Sequence, residues 1–239
     1  MQKRWLFVPA FCLLVLPSSP KIPNPGDEAL TAKDIIANCA RAMGGREKID
    51  RLKTLRIFAV WPDHGDKPLG LEIMRPNKSY LPQGRLAYDG RRACFLNGED
   101  GRSKPEMVDE AELVDYDVEI ALYFPAFFDY PAEYAGTEIL AGRPAHKLRV
   151  ALRLGAVITY YIDAETWLPI RARNQFRSKG RDFDNTREYR DFRNVGGIVY
   201  PHAFTYPSRD RKSVLLAAVT SVEINPPLDP AHFVIPDIK

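Results

Sequence analysis

The residues of this chain best equipped for chemistry are four histidines (His64, His146, His202 and His232), three cysteines, and the acid pairs Asp109/Glu110 and Asp182/Asp184. Zinc chemistry needs ligands brought to one point, which a sequence announces as an H-E-x-x-H helix or as paired Cys and His spacings. The histidines are scattered with no i, i+4 pair, so each reads as a surface or hydrogen-bonded strand residue, and no metal is expected. Acyl transfer on an α/β scaffold would show a G-x-S-x-G turn, and phosphate handling a G-x-x-x-x-G-K-[ST] or G-x-G-x-x-G loop; none is present. Gly98-Glu99-Asp100-Gly101 lacks the remaining ligands of a calcium loop and reads as a turn. The acid pairs could work as acid and base only if burial shifted one partner, whereas turn and helix-start positions keep both solvated. Neither catalysis nor a cofactor is therefore expected. The arginine-rich stretch 171–193 alternates its cations with Asp182, Asp184, Glu188 and Asp191, which reads as a solvated outer surface. A formal charge of +3 gives no electrostatic footprint for nucleic acid.

The elements that would position any site are mostly strands. Between Tyr134 and Tyr200 the alternating segments 137–140, 145–152, 156–163, 168–173 and 186–193 follow one another, with turn residues between them and no room for a helix. Only antiparallel neighbours can be joined by a few residues, so these segments form a meander. Further strands are expected at 54–61, 69–75, 78–82, 85–89 and 92–97, joined through Asp63-His64-Gly65, Pro76-Asn77, Gln83-Gly84 and Asp89-Gly90. Strands at 199–206 and 214–224 complete the sheet, 98–107 reads as a charged loop, and 232–236 is a short terminal segment.

Helices are few. Ile35, Ile36, Cys39, Ala40 and Met43 recur at helical spacing, with Thr31 and Asp34 suited to the start and Gly44-Gly45 to the end. A short helical turn over 46–52 leads into the first strand. The one helical interruption of the sheet is 110–124, acidic at its start and stopped by Pro125. Leu122 to Tyr130 then holds five aromatics in nine residues, either a core plug or a greasy lid over a cavity.

The amino-terminal region differs from the rest. Lys3 and Arg4 precede an apolar run from Trp5 to Leu16, and Pro17-Ser18-Ser19-Pro20 follows, which is the layout of a secretory signal peptide over 1–20. The run is too short for a spanning helix, which needs about 20 apolar residues. Proline-rich 21–30 reads as an extended tether, and 31–239 as one domain whose core is supported by a hydrophobic fraction of 45%. Subtracting Lys3 and Arg4 from +3 leaves a mature charge of +1. Export leaves Cys39 and Cys94, either as two buried thiols or as a bonded pair in an oxidising compartment.

Three phrases resemble the bacterial outer-membrane lipoprotein-sorting family, the periplasmic carriers related to LolA and LolB. They are Tyr134 to His146 with its Ala141-Gly142-Arg143-Pro144 turn, Tyr160 to Ile170 with Asp163-Ala164-Glu165-Thr166-Trp167-Leu168-Pro169, and Tyr189 to Pro201 with Asn194-Val195-Gly196-Gly197. The helix ending in Gly44-Gly45 ahead of Ile49 and Leu52 is similar too. The resemblance covers most of the chain after the leader. It implies an α+β, mainly β fold: a curved antiparallel sheet forming an incompletely closed half β-barrel, with helices plugging the concave side.

The resemblance further implies a soluble, non-enzymatic periplasmic carrier for the acyl chains of a lipid or lipoprotein, working with inner- or outer-membrane partner proteins. Each buried methylene would contribute about 0.8 kcal/mol. On that implication the hydrophobic cavity and lid are expected from Phe58 and Val60 of the first strand, Ile158 and Tyr160 of the meander, and Leu122, Phe124, Phe127 and Phe128 around the mid-chain helix. The family's functional arginine maps to no defined position here. Relatives of the same fold also serve as envelope sensors, so the alternative is a sensor or scaffold that binds a protein partner through its sheet.

Overall fold

The computed structural model describes residues 30–62, 65–98, 102–123, 128–207 and 214–237. The expected leader and most of the tether, with Phe124, Phe127 and His64, lie outside these residues.

The first helix, α1 (Ala32–Ala42), starts where its cap chemistry directs. The Asp34 amide donates to the Thr31 hydroxyl at 3.3 Å, and the Thr31 amide donates back to the Asp34 carboxylate at 3.0 Å. Two amides that the first turn leaves without partners are thereby satisfied. Gly44 closes the helix at φ +113°, and a Cβ there would land on the Gly197 carbonyl oxygen, so this turn requires glycine. A short α2 (Arg46–Asp50) follows.

The chain then runs through β1 (Thr54–Trp61), β2 (Lys67–Met74), β3 (Lys78–Leu81), β4 (Leu86–Tyr88), β5 (Ala93–Phe95) and β6 (Glu106–Met107). A 3-10 turn at Glu110–Glu112 enters α3 (Leu113–Tyr123). The remaining strands are β7 (Ala132–Leu140), β8 (Arg143–Ala151), β9 (Val157–Asp163), β10 (Pro169–Ser178), β11 (Arg181–Val195), β12 (Ile198–Pro207) and β13 (Val214–Ile224). All lie in one curved 13-stranded antiparallel sheet of order β6-β5-β4-β3-β2-β1-β13-β12-β11-β10-β9-β8-β7. Adjacent strands of the sheet are also neighbours in the chain except at the β1–β13 junction, so the sheet is two meanders zipped together by its first and last strands.

The sheet does not close: its edge strands are β6 and β7, and α3 is the element that connects them. Helix α3 is consequently buried almost all round, with Leu113, Val114, Val118, Ile120, Ala121, Leu122 and Tyr123 in the same core as Ile35, Cys39 and Met43 of α1. The concave face supplies Leu55, Ile57 and Ala59 from β1, Leu148 and Val150 from β8, and Ile158, Tyr160 and Ile162 from β9.

The convex face is treated differently at its two ends. Over β3 to β5 the carboxyl-terminal segment covers it, Phe233 and Ile235 packing on Tyr80, Ala87 and Cys94. Cys39 and Cys94 are thus buried thiols on opposite faces of the sheet, and they are not bonded. Over β10 and β11 the convex face carries charge.

One expectation is corrected. Phe58 is 42% exposed and, with half-buried Val60, lies on the opposite face of β1 from Leu55, Ile57 and Ala59. Alternation separates two faces of a strand without saying which one turns inward. The charged segment between 173 and 186, part of the stretch expected as a solvated outer surface, forms the outer end of one long hairpin. It turns through Lys179 (φ 45°) and Gly180 (φ 72°), two adjacent positive-φ residues that match the strand twist. Cross-strand contacts offset the low strand propensity of its charged residues: Phe176 stacks on Phe183 at 4.8 Å, and Arg173 Nε donates to Asp184 Oδ1 at 2.7 Å.

Candidate functional site

The concave face under α3 is the candidate site, because it carries the main hydrophobic cluster and its helical cover bridges the open seam. Three strands place a tyrosine under the carboxyl-terminal end of α3. Tyr160 of β9 donates to the Ala121 carbonyl at 2.6 Å, Tyr189 of β11 to Leu122 at 3.0 Å, and Tyr200 of β12 to Tyr123 at 2.8 Å. The last carbonyls of a helix have no partner within the helix, so these hydroxyls supply them from the sheet. Burial pushes the phenols of Tyr189 and Tyr200 well above their ordinary value, which keeps them protonated donors. Beside the tyrosines and Met43 the free space is about 20 Å³, room for about one water.

Charges are also held under the helix. Arg187 of β11 is only 2% exposed, donates to Glu119 of α3 at 3.3 Å, and lies 4.9 Å from the Tyr123 ring centre and 5.5 Å from that of Phe204. Aromatic faces and one carboxylate therefore offset the desolvation of this guanidinium. Asp117 of α3 is 2% exposed, and burial holds its carboxyl above the ordinary 3.8. Its Oδ2 accepts no hydrogen bond among the described residues. Lys179, in the β10–β11 turn, pairs with Glu112 just ahead of α3 at 2.5 Å.

At one mouth of the concavity the two ends of the sheet are clipped together. Arg153, in the β8–β9 turn, donates to the Tyr88 hydroxyl of β4 at 2.9 Å and to the Gly90 carbonyl after it. The same guanidinium stands 3.9 Å from Asp117. Burial, with Asp117 nearby, pushes the Tyr88 phenol up to about 12.

Of the residues expected to line the cavity, Leu122, Phe128, Ile158 and Tyr160 are brought together in this core; Phe58 and Val60 are not. The three described histidines have separate partners. His146 stacks on Trp167 at 5.1 Å with its pKa lowered by burial, His202 Nδ1 lies 3.0 Å from the Tyr200 carbonyl, and His232 Nδ1 lies 2.7 Å from Glu72. Asp109 caps the 3-10 turn through the Ala111 amide at 2.8 Å, and Asp184 pairs with Arg173, so both acid pairs are used structurally. No group of three or more His, Cys, Asp or Glu side chains converges as a metal site among the described residues. No helix among them is long and apolar enough to cross a membrane.

Sequence reasoning missed Arg187, Asp117 and Arg153. Arg187 sits in a run, Thr186-Arg187-Glu188-Tyr189-Arg190, that is polar on both faces. Asp117 is one of several acids on an otherwise apolar helix, and only its neighbours in space set it apart.

No protein-family model matches this sequence, and no curated protein matches it. Solved structures do. A LolA superfamily protein from Nitrosomonas europaea superposes with a TM-score of 0.51 at 14% identity, over 87% of this chain and 99% of that one. A DUF1329 family protein from Desulfovibrio piger superposes with a TM-score of 0.50 at 14% identity, over 85% of this chain and 97% of that one. At such identities the likeness concerns the fold alone: this chain has the open, LolA-like half-barrel architecture.

Proposed function

We propose that the protein is an exported periplasmic carrier which takes the acyl chains of a lipid or lipoprotein onto its concave face when α3 is displaced, and releases them without any covalent step. The observation that carries this is the way α3 is held. It fills the concavity of an open sheet, yet its carboxyl-terminal end is fastened by three tyrosine hydroxyls and its flank by charged pairs, not by a dry interdigitated seam alone. A 20 Å³ void admits no acyl chain, so binding requires the helix to leave, and its departure would open an apolar trough lined by Leu148, Ile158, Tyr160 and Phe204. The fold shared with a LolA superfamily protein supports the same conclusion.

A sensor or scaffold that captured a partner by extending the sheet would need a long regular edge. Here β6 is two residues long, and β7 is broken by a register shift between Tyr134 and Thr137 with Gly136 at φ 86°. Both edges are blunted, and the concave face is favoured.

The test is native mass spectrometry with solvent extraction on the mature chain purified from an envelope fraction without detergent. Co-purifying acyl lipid is expected, with occupancy raised in the Tyr160→Phe, Tyr189→Phe, Tyr200→Phe triple variant. An apo mass in both proteins that also ignores added lipids overturns the carrier.

A further inference from the structure

Outside the concavity a strongly charged recess runs along the seam where Arg153 joins the two ends of the sheet. It is a trough of about 770 Å³ whose charged lining is Arg75, Lys78, Asp89, Arg91, Asp129 and Arg153. Its volume lies in the range of about 300–1,000 Å³ that small-molecule sites occupy.

The two carboxylates are already engaged. Asp89 accepts from the amides of Arg91 and Arg92 at 2.8 and 2.7 Å, and Asp129 stands 3.3 Å from Arg75. Two of the cations are not neutralised to match: Lys78 and Arg91 form no ion pair among the described residues. Arg153 has Asp117 at 3.9 Å, and its hydrogen bonds go to a neutral phenol and a backbone carbonyl. A neighbouring recess of about 570 Å³ toward the start of α3 shares Arg91 and Arg153 and adds Arg177, which stands 3.7 Å from Asp182, and Glu110. Three cations lining one recess, two of them with planar donor forks, suit a multi-oxygen dianion better than a carboxylate. Tyr130 lines the trough and also packs on the main core, so one side chain borders both the recess and the core.

We infer that this trough binds the phosphate monoester headgroup of an anionic amphiphile through Lys78, Arg91 and Arg153. The inference rests on the carrier function proposed above and names its ligand class. A headgroup at Arg153 competes with Tyr88, Gly90 and Asp117 for the same guanidinium, so its arrival loosens both the seam and the hold on α3. The headgroup site and the chain site are thereby coupled through one side chain.

The experiment is isothermal titration of the full mature chain with three probes, each below its micelle concentration: monodecyl phosphate, decylphosphocholine and inorganic phosphate. The wild type is expected to bind monodecyl phosphate about tenfold more tightly than decylphosphocholine. A Lys78→Ser, Arg91→Ser double variant, which breaks no ion pair, is expected to lose that preference while keeping its affinity for decylphosphocholine. Equal affinity for the two amphiphiles in the wild type, or a preference that survives the double variant, overturns the trough as headgroup site and leaves the carrier standing. Inorganic phosphate binding as tightly as monodecyl phosphate, and lost in the double variant, keeps the anion site but assigns it to a free phosphoryl ligand and overturns the acyl-chain carrier. No heat with any probe overturns the trough.

Discussion

The sheet is covered twice, and the two covers are built from opposite materials. On the convex face the carboxyl-terminal segment lies over β3 to β5 through Phe233 and Ile235, both nearly fully buried, with His232 stacked on Tyr80 at 4.3 Å and bonded to Glu72. Glu72 in turn pairs with Arg56 at 2.9 Å, and Arg56 with Glu223 at 2.7 Å, so the charges there are satisfied. On the concave face α3 is more apolar overall, yet it carries Asp115, Asp117 and Glu119 into its contacts, and half-buried Asp115 and buried Asp117 hold raised pKa values because burial disfavours their charge. A cover of satisfied pairs over an apolar anchor is a permanent strap. A cover that holds carboxylates out of water at a cost leaves part of its burial energy uncollected, which lowers the work of displacing it.

Breaking the strap should give the largest effect. Phe233→Ala empties a buried site and should lower stability by about 3–5 kcal/mol in urea unfolding. Amphiphile affinity of the folded fraction should not change, since the residue lies on the far side of the sheet. Tighter or weaker binding in that variant would show that the two covers are linked and would end the contrast. Loosening α3 should act the other way round. Each Tyr→Phe change at 160, 189 or 200 leaves one helix-end carbonyl without its donor, a loss of about 1 kcal/mol. The triple variant should therefore unfold more easily than the wild type, yet take up acyl ligand at least about tenfold more readily, because closure is what it weakens. Lost uptake would mean that the tyrosines belong to the ligand site and not to the latch.

A smaller effect belongs to the polar end of the strap. His232→Ala removes the stack on Tyr80 and the bond to Glu72, but Arg56 still partners that carboxylate. A loss of about 1 kcal/mol in urea unfolding is expected, with uptake unchanged. If it costs as much as Phe233→Ala, the strap is fastened by its charges and is less unlike α3 than its apolar anchor suggests.

The sequence carried the architecture because the architecture rests on local signals. Alternation over 137–163 and turn residues such as Asp89-Gly90 give the meander, and Thr31 with Asp34 gives the start of α1. The latch rests on non-local ones. Tyr160, Tyr189 and Tyr200 sit on three strands, and nothing in their spacing shows that they reach three successive carbonyls of one helix. Tyr160 was legible as an inward strand residue, while Phe58 was placed on the wrong face, since a period of two has no sign. Buried ions are the least legible. Arg187 and Asp117 look like surface residues in the pattern, and become site residues only once the sheet has curved around α3.

Asp117 separates the covers most finely, because its effect appears only against pH. Its carboxyl faces Arg153 of the β8–β9 turn, Tyr88 of β4, Tyr130 after α3 and Asn77 of the β2–β3 turn; burial raises its pKa above 3.8, and Arg153 opposes that shift. A carboxyl with a higher pKa under cover than in water binds more protons when α3 is closed. Closure is then strongest at acid pH and weakens as the pH rises from 3.8 through the raised value. Asp117→Asn has no proton to release and removes that dependence. Relative to the variant, the wild type should melt at a falling temperature, and load acyl ligand faster, on going from about pH 4 to about pH 7. Because Asp115 of α3 and Asp129 after it are raised by burial too, some slope should remain in Asp117→Asn. The strap residues offer the control: Phe233→Ala should shift the melting curve downward at every pH without altering its slope. A slope that Asp117→Asn leaves whole would place the proton-linked group elsewhere and remove the strained carboxylate as the reason α3 can leave.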